Sequence, residues 1–297
     1  MSENRERCDV GLKKQQGIQS VKFEEPPIIC AAASVVGQKE GDGPFGDVFD
    51  QIESDPKVGG DTWEDAEGRL QERAAELAIQ KAGCGKEAIR YIVAGDLLGQ
   101  LMASSFGLAG FDKPLFGVYG ACSTMGESIG IGSMLVEGGF ADYVLAMTSS
   151  HFASAEKQFR FPLGYANQRP KASTWTVTGS GAVVICKGDQ KQGMAKITGI
   201  TTGKIVDYGV KDTMNMGACM APAAASVVAA HFKDFGTDPS EYDQIITGDL
   251  GMVGKDILID ILRSEGYDIA DRYIDCGIEI YGRDAQAQAG GSGCGCS

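Results

Sequence analysis

The chain is poor in the side chains on which several kinds of protein function depend. It has only two histidines, His151 and His231, among 297 residues, and no histidine–cysteine spacing typical of a zinc site. Lysine and arginine number 27 against 40 aspartate and glutamate residues, so the formal net charge is −13. Such a surface repels nucleic acid and anionic lipid. We therefore expect no metal site and no nucleic-acid partner.

Long apolar runs are also missing. No stretch reaches the roughly eighteen apolar residues that a membrane span needs, and residues 1–14 lack the apolar core of an export signal. Nine cysteines without an export signal indicate a reducing, intracellular setting. We expect a cytoplasmic protein that meets a membrane only through a partner.

Short apolar runs alternate with helical patterns along most of the chain, after a loosely held arm at residues 1–25. Strands alternating with helices predict an α/β fold with a mostly parallel sheet that is covered on both faces. The strands are predicted at 28–36, 89–93, 115–119, 143–147 and 176–187, and the helices at 63–81, near 98–108 and at 221–234. Thr62 is the expected cap of the first long helix, and Gly83 its expected end.

The second half of the chain repeats the first. Residues 240–251 have the pattern of residues 87–99, and residues 278–297 that of 115–123, so that 278–281 corresponds to a strand. The repeat predicts a duplicated α/β unit, with one half at 26–190 and the other at 191–297. The apolar helix that follows Cys122 has no counterpart after Ser297, so we expect the second half to be incomplete, as in a truncated product.

Cys122 stands at the most reactive position that the pattern predicts. A short buried strand, Leu115 to Tyr119, is followed by Gly120, which permits a sharp turn because it has no Cβ. Cys122 then begins a helix, where unpaired N–H groups and the helix dipole favour a thiolate. The alternative is a cysteine that only packs, since free cysteine is usually buried and inert.

Several segments carry a family resemblance. They include FGVYGACST at 116–124 and AGGSGC at 289–294, with further matches at 94–98, 146–151, 156–162, 177–184 and 220–225. Together with the duplicated plan, they resemble the thiolase superfamily, and within it the stage V sporulation AD family of endospore-forming bacteria. The resemblance covers residues 28 to 297.

This resemblance implies a fold, a ligand and partners. The fold would be thiolase-like, with duplicated βαβαβ halves in a five-layer α/β/α/β/α architecture, and the protein a homodimer. The ligand would be dipicolinic acid, pyridine-2,6-dicarboxylate, alone or with calcium, which the family helps to load into the developing endospore. The partners would be membrane-embedded stage V sporulation proteins of the same locus. The protein would then lie at the forespore inner membrane, with a link to spore germination.

The same resemblance can be used to decide whether the chain is an enzyme or a binding protein. Condensing enzymes of this superfamily use a histidine from the second half to activate the cysteine, and a second histidine or an asparagine to hold the enolate oxygen. This chain has Thr247-Gly-Asp249 at the first of these positions and the glycine-rich segment 290–294 at the second. We therefore expect no catalytic residues. The alternative is an acyltransferase or condensing enzyme of the ketoacyl synthase type that uses Cys122 with His151.

A degenerate active site still offers a preformed cavity for a flat aromatic dianion. A helix N-terminus, hydroxyl groups and a guanidinium would hold the carboxylates, and apolar side chains would hold the ring. The predicted ligand-binding residues are Cys122, Ser149, Ser150, His151, Arg160, Met220 and Ser292, with Phe159 and Phe161 as further candidate walls.

Other charged residues have two interpretations. Asp96 and Asp249 occupy matching places in the two halves and could contact a calcium ion that travels with the ligand. The alternative is that both aspartates only stabilise the turn after a strand by hydrogen bonds, and we prefer this interpretation. Arg169 and Lys171 belong either to the ligand site or to a solvated basic loop.

Overall fold

The computed structural model describes residues 14–159, 175–188, 193–212 and 215–282. The strands in these ranges are β1 Gln15–Gln16, β2 Ser20–Lys22, β3 Ile28–Gly37, β4 Gln51–Glu53, β5 Tyr91–Gly95, β6 Leu115–Gly117, β7 Tyr143–Ser150, β8 Gly179–Cys186, β9 Ala195–Lys196, β10 Gly199–Thr201, β11 Ile245–Thr247 and β12 Tyr273–Asp275. The helices are α1 Gln38–Gly41, α2 Trp63–Ala82, α3 Met102–Gly107, α4 Thr124–Glu137, α5 Phe152–Phe159, α6 Met216–Phe235, α7 Gly251–Ser264 and α8 Cys276–Tyr281.

The first half is built on a sheet with the strand order β4-β3-β8-β7-β5-β6, to which β9 adds beside β3. Strands β4, β3, β7, β5 and β6 run parallel to one another, but β8 is antiparallel to both of its neighbours. The sheet is therefore mostly parallel, as predicted, with one antiparallel strand near its centre. The chain re-enters the sheet from the end at which β7 leaves it, and such a return gives an antiparallel pair without a crossover.

Helices cover both faces of this sheet, as predicted. On one face α2 buries Leu70, Ala74 and Ala78 against strand residues that include Leu145 and Met147. On the other face α4 packs against the alternate strand residues, among them Val144 and Ala146. Because strand side chains alternate between faces, a continuous apolar run such as 143–147 supplies both cores.

The local signals for α2 are confirmed. The Thr62 hydroxyl accepts a hydrogen bond from the backbone N–H of Asp65 (3.1 Å), which satisfies one of the free donors of the first turn. At the other end Gly83 has a φ of +60°, the left-handed conformation that glycine adopts without strain. The helix runs one residue further than the predicted 63–81.

Strand β6 differs from its prediction. It is three residues long and lies at the sheet edge, where Leu115 and Phe116 are 38% and 44% exposed, rather than in the core. Its hydrogen bonds go to β5 alone among the described strands. Apolar composition predicted the strand, but its place in the sheet decides whether it is buried.

The second half contains a small parallel sheet, β11 and β12, together with α6 and α7. The two helices pack through buried residues such as Ala221 and Leu258 and cross where Gly217 meets Gly254, a contact too close for a Cβ. Helix α6 begins at Met216, before the predicted 221, because the Asn215 side chain caps it by accepting from the N–H of Ala218.

The repeat is confirmed at the β11 turn but not at 278–281. The pair Gly95-Asp96 lies at the end of β5, and the pair Gly248-Asp249 lies at the end of β11. The two pairs therefore have matching positions, as the repeat predicts. The segment 278–281, expected as a strand, lies instead in helix α8. The Asp275 carboxylate accepts a hydrogen bond from the N–H of Ile278 and so begins a helix at that point. Within the described residues, no helix is both long and apolar enough to cross a bilayer.

The N-terminal arm is not loosely held over residues 15–22. Strands β1 and β2 form a hairpin, and β2 also pairs with β10. The Asp234 carboxylate, near the end of α6, accepts from the backbone N–H groups of Ile18 (2.9 Å) and Gln19 (3.1 Å) and from the Ser20 hydroxyl (2.8 Å). These bonds, led by the one from Ile18, lower the pKa of Asp234. One carboxylate thus ties the hairpin to the second half.

We expect Asp234→Ala to release this hairpin, because three hydrogen bonds to a charged acceptor are lost at once. The amide protons of Ile18 and Gln19 should exchange with deuterated solvent at least about tenfold faster than in the wild type. Asp243→Ala, at an exposed position in the same half, should leave them unchanged. Equal exchange in all three proteins would contradict the role given to Asp234.

Candidate functional site

The candidate site lies at the carboxyl ends of β5, β6 and β7. These strands are parallel, so the residues that follow them meet at one edge of the sheet. Asp96 follows β5, Cys122 follows β6, and His151 follows β7, of which Ser149 and Ser150 are the last two residues. The sheet topology therefore brings together most of the first-half residues that the sequence singled out.

Cys122 occupies a strained turn between β6 and α4. It is the middle residue of a single 3₁₀ turn, Ala121–Ser123, that leads directly into α4, and it is half-buried. The left-handed residue of the turn is Ala121, with a φ of +50°, and not Gly120, whose φ is −108°. A Cβ at position 120 would meet the Ser123 hydroxyl and the Glu127 carboxylate, so those exposed side chains would have to move to admit one. The predicted position of the thiol at a helix start is confirmed, but the turn that places it has its left-handed residue at Ala121 instead of Gly120.

Ser149 belongs to a network of buried polar groups beneath this edge. Its hydroxyl donates to Glu67 Oε1 (2.9 Å) and accepts from Gln71 Nε2 (2.7 Å). The other Glu67 oxygen accepts from the Ser154 hydroxyl at 2.5 Å, at the start of α5. All four side chains are fully buried. The network therefore joins α2, the end of β7 and the start of α5.

Burial changes the charge of Glu67. Removal from water, and then the nearby Asp96 carboxylate, raise the pKa of Glu67 to about 8. At neutral pH the group is therefore mostly a neutral acid. This form suits its position, because an ionised carboxylate without a cation partner is costly in the interior.

Asp96 holds the loop after β5. Its carboxylate accepts from the N–H of Leu98 (2.8 Å) and from both the N–H (2.8 Å) and the hydroxyl (2.6 Å) of Ser104. Burial raises its pKa in spite of these bonds. The preferred interpretation, turn chemistry, agrees with this geometry.

His151 and Ser150 are committed to the protein interior. The Nε2 of His151 donates to the backbone carbonyl of Pro56 (2.7 Å), while its Nδ1 accepts from the N–H of Ala153 (3.1 Å). Burial lowers the pKa of His151 to about 4, so the ring is neutral at physiological pH. The Ser150 hydroxyl donates to the carbonyl of Val177 (2.7 Å). Both side chains are fully buried, and their ligand role stays a prediction.

His231 is also hydrogen-bonded within the fold through both ring nitrogens. One ring nitrogen bonds the Thr201 hydroxyl (2.9 Å) and the other the Tyr242 hydroxyl (2.8 Å), and the ring packs against Phe235. Both histidines of the chain thus have two hydrogen-bond partners within the fold. Neither imidazole offers a free nitrogen to Cys122.

The remaining predicted contacts divide into two groups. Met220, on α6, is partly buried and packs on the core of the second half. Arg160 and Ser292 lie outside the described residues, as do Phe161, Arg169 and Lys171. Asp249 is buried, with its carboxylate pressed against Gly277 at the start of α8.

A cleft of about 460 Å³ lies at the opposite, amino-terminal end of the same sheet. The loops that precede β5, β6 and β7 form it, with Arg90, Lys113, Asp112 and Asp142 among its lining residues. This cleft is therefore separate from the edge that carries Cys122.

The sequence analysis missed the polar network, although a signal for it was present. Glu67 and Gln71 fall at helical spacing with Ala74 and Ala78, on the apolar stripe of α2. Polar residues on such a stripe predict buried hydrogen bonds, since a buried polar group without a partner is costly. Their partners Ser104 and Ser154 carry no comparable signal in the sequence.

Comparison of the sequence with known proteins finds a matching family model and a similar protein of known name. The family model of stage V sporulation protein AD matches residues 17–297. The stage V sporulation protein AD of Bacillus subtilis (strain 168) is 45% identical over 284 residues, which cover 96% of this chain and 83% of that protein.

Solved structures of condensing enzymes share the fold. The 3-oxoacyl-[acyl-carrier-protein] synthase III of Pseudomonas aeruginosa PAO1 matches with a TM-score of 0.55 and 14% identity, over 90% of this chain and 87% of that one. The synthase III of Aquifex aeolicus VF5 matches with a TM-score of 0.52 and 14% identity, over 89% and 88%. The predicted thiolase-like α/β fold is thereby confirmed.

We expect Glu67 to make the stability of the protein depend on pH. A carboxyl group whose pKa is raised on folding stabilises fully below its unfolded pKa, near 4.5, and loses that contribution as the pH rises towards about 8. The free energy of unfolding should fall in this window by at most about 1.4 kcal/mol per pH unit. Glu67→Gln keeps the neutral shape and should reduce this fall.

The measurement is urea unfolding of wild type and variant at about pH 5.5 and about pH 7.5. Glu72→Gln, at an exposed position on the same helix, is the matched control and should behave as the wild type. If Glu67→Gln shows the same pH dependence as the control, Glu67 is ionised in the folded protein and the interpretation is wrong.

Proposed function

The chain belongs to the stage V sporulation protein AD family, and we propose that it is a non-catalytic binding protein for dipicolinic acid or its calcium complex. In this proposal it delivers the compound for uptake into the developing bacterial endospore. It works at the forespore inner membrane with membrane-embedded stage V sporulation proteins of the same locus.

One observation carries the non-catalytic part of the proposal: no imidazole of this chain serves Cys122. His151 is neutral, buried and bonded to Pro56 and Ala153, and His231 is held between Thr201 and Tyr242. Acyl transfer to a cysteine needs a base that takes its proton, and carbon–carbon bond formation needs further donors to an enolate oxygen. By the family resemblance, the segment of this chain that corresponds to the second-half histidine of condensing enzymes is 246–250, which contains the buried Asp249.

The edge that carries Cys122 supports the ligand part of the proposal. The half-buried thiol lies at the start of α4, where backbone N–H groups and the helix dipole favour an anion. A net charge of −13 repels a dianion at long range, so the affinity must come from such local donors or from a calcium ion that travels with the ligand. The oxygens of Asp96 already accept hydrogen bonds from Leu98 and Ser104. A calcium ion that arrives with the ligand is therefore favoured over one that is held permanently at Asp96.

We expect Cys122→Ala to weaken dipicolinate binding, because the side chain would line the floor of the ligand site. The loss should be on the order of 1 kcal/mol, about a fivefold rise in Kd, in calorimetric titration with and without calcium. Cys219→Ala, which removes an exposed thiol on α6, is the control and should bind as the wild type. Absence of any heat with the wild type would contradict the ligand assignment.

The catalytic alternative has its own test. Incubation with acyl-coenzyme A followed by mass spectrometry of the intact protein should reveal no acyl adduct on Cys122. An adduct that is absent in Cys122→Ala but present in Cys219→Ala would favour an acyltransferase or condensing enzyme and overturn the binding proposal.

We further propose that the protein is a homodimer that pairs through β6. This strand is an edge of the main sheet, and Leu115, Phe116 and the following Tyr119 are well exposed there. Exposed apolar edge strands invite pairing with another chain. A second copy with the same strand would satisfy the free backbone groups and cover these side chains.

In light-scattering measurements we expect the wild type to have twice the chain mass of 31.3 kDa. Phe116→Asp should shift the protein towards the monomer, because the interface would bury a charge on each copy. Val48→Asp changes an exposed apolar residue near the opposite edge strand, β4, and should leave the dimer intact. Dissociation by both variants alike, or by neither, would count against β6 as the interface.

A further inference from the structure

Three cysteines gather at the amino-terminal end of the main sheet, far from the edge that carries Cys122. Cys30 lies near the start of β3, Cys186 is the last residue of β8, and Cys84 follows the end of α2. Tyr143, at the start of β7, packs on the same core cluster as Cys30 and Cys84. Cys186 is fully buried, whereas Cys30 and Cys84 are partly exposed.

A β-bulge directs Cys30 towards the other two thiols. In the pairing of β3 with β8, Ile29 opposes Ile185 and Ala31 opposes Val184, so Cys30 is the extra residue. Ile29 packs on the α4 side of the sheet, but Cys30 and Ala31 both pack on the α2 side. A bulge re-aims a side chain in this way. Without it, Cys30 would share the face of Ala32 and point away from α2.

Cys186 shares this face with Cys30. It lies two positions from Val184 on β8, and side chains two apart point to the same side of a sheet. The Cys30 thiol donates to the carbonyl of Val184 (3.3 Å), so it lies over β8 two positions from Cys186. Cys30 and Cys186 are therefore neighbours on one face of two paired antiparallel strands.

We propose that Cys30 and Cys186 are an oxidant-sensitive pair, which a small-molecule disulfide such as oxidised glutathione converts into an intramolecular disulfide that links β3 to β8. In the first step one protein thiolate attacks the small-molecule disulfide, forms a mixed disulfide and releases one glutathione thiolate. In the second step the other protein thiolate attacks the mixed disulfide and releases the second glutathione. Two protein thiols are oxidised, one small disulfide is reduced, and the two thiol protons pass to the two glutathione thiolates.

The environment of the pair sets the conditions for this reaction. Burial, and then the contact with Cys186, raise the pKa of the Cys30 thiol far above its usual range. Because the thiolate is the attacking species, the reaction should be slow near neutral pH and faster in alkali. An exposed thiol such as Cys219 should instead react quickly with the small disulfide and serve as the internal reference for oxidation.

The test is a disulfide map of the folded full-length chain. The protein is incubated with oxidised glutathione, denatured in N-ethylmaleimide to block the remaining thiols, digested without reduction and analysed by mass spectrometry. We expect a cross-linked pair of peptides that contain Cys30 and Cys186, lighter by two hydrogens than their sum. Its yield should rise at least about threefold from pH 7 to pH 9, as the thiolate fraction grows.

Matched variants separate this pair from general oxidation. Cys30→Ala should abolish the cross-link, whereas Cys219→Ala should leave it unchanged. The cross-link is measured in the wild-type protein. The proposal can therefore be tested even if Cys30→Ala fails to fold. N-ethylmaleimide on both Cys30 and Cys186, after Cys219 has been fully converted, would overturn the proposal. A cross-link of Cys30 to Cys84 in place of Cys186 would overturn the assignment of the pair.

Discussion

The carboxyl edge of the main sheet depends on one buried acid. Glu67 holds the end of β7 through Ser149 and the start of α5 through Ser154, and Gln71 one turn later extends the contact to Ser104 and the carbonyl of Gly95. Asp96 then fixes the loop after β5 through the same Ser104. The segments that surround the candidate site are thus positioned from below by α2. The raised pKa of Glu67 means that this network holds a neutral acid at its centre rather than an uncompensated buried charge.

Much of the fold was predictable because its signals are local. The apolar runs at 28–36 and 143–147 located β3 and β7, and the cap at Thr62 and the glycine at 83 located α2 within one residue. The helix start beside Cys122 was predicted for the same reason. These features depend on side chains a few positions apart, which the sequence displays directly.

The errors concern quantities that are set by distant parts of the chain. An apolar strand at 115–119 looks buried, but its exposure depends on its place at the sheet edge. Whether His151 can act as a base depends on the carbonyl of Pro56, 95 positions away, which accepts a hydrogen bond from its Nε2–H group. The direction of β8 likewise depends on its partners in the sheet, β3 and β7. None of these can be inferred from residue spacing, because each is a property of the assembled sheet.

The turn at Cys122 bears on the proposed binding role, because local contacts set its geometry. Ala121 holds a left-handed φ, which costs a residue with a Cβ roughly 1–2 kcal/mol, and Gly120 is crowded by Ser123 and Glu127. The surrounding contacts impose this geometry, and they include none from a histidine. A rigid thiol and a row of helix N–H groups are therefore kept in place whether or not an imidazole is present. Preorganisation of this sort lowers the cost of binding as it lowers the barrier of a reaction. In the proposed binding role, this turn would present its donors to the ligand without prior rearrangement.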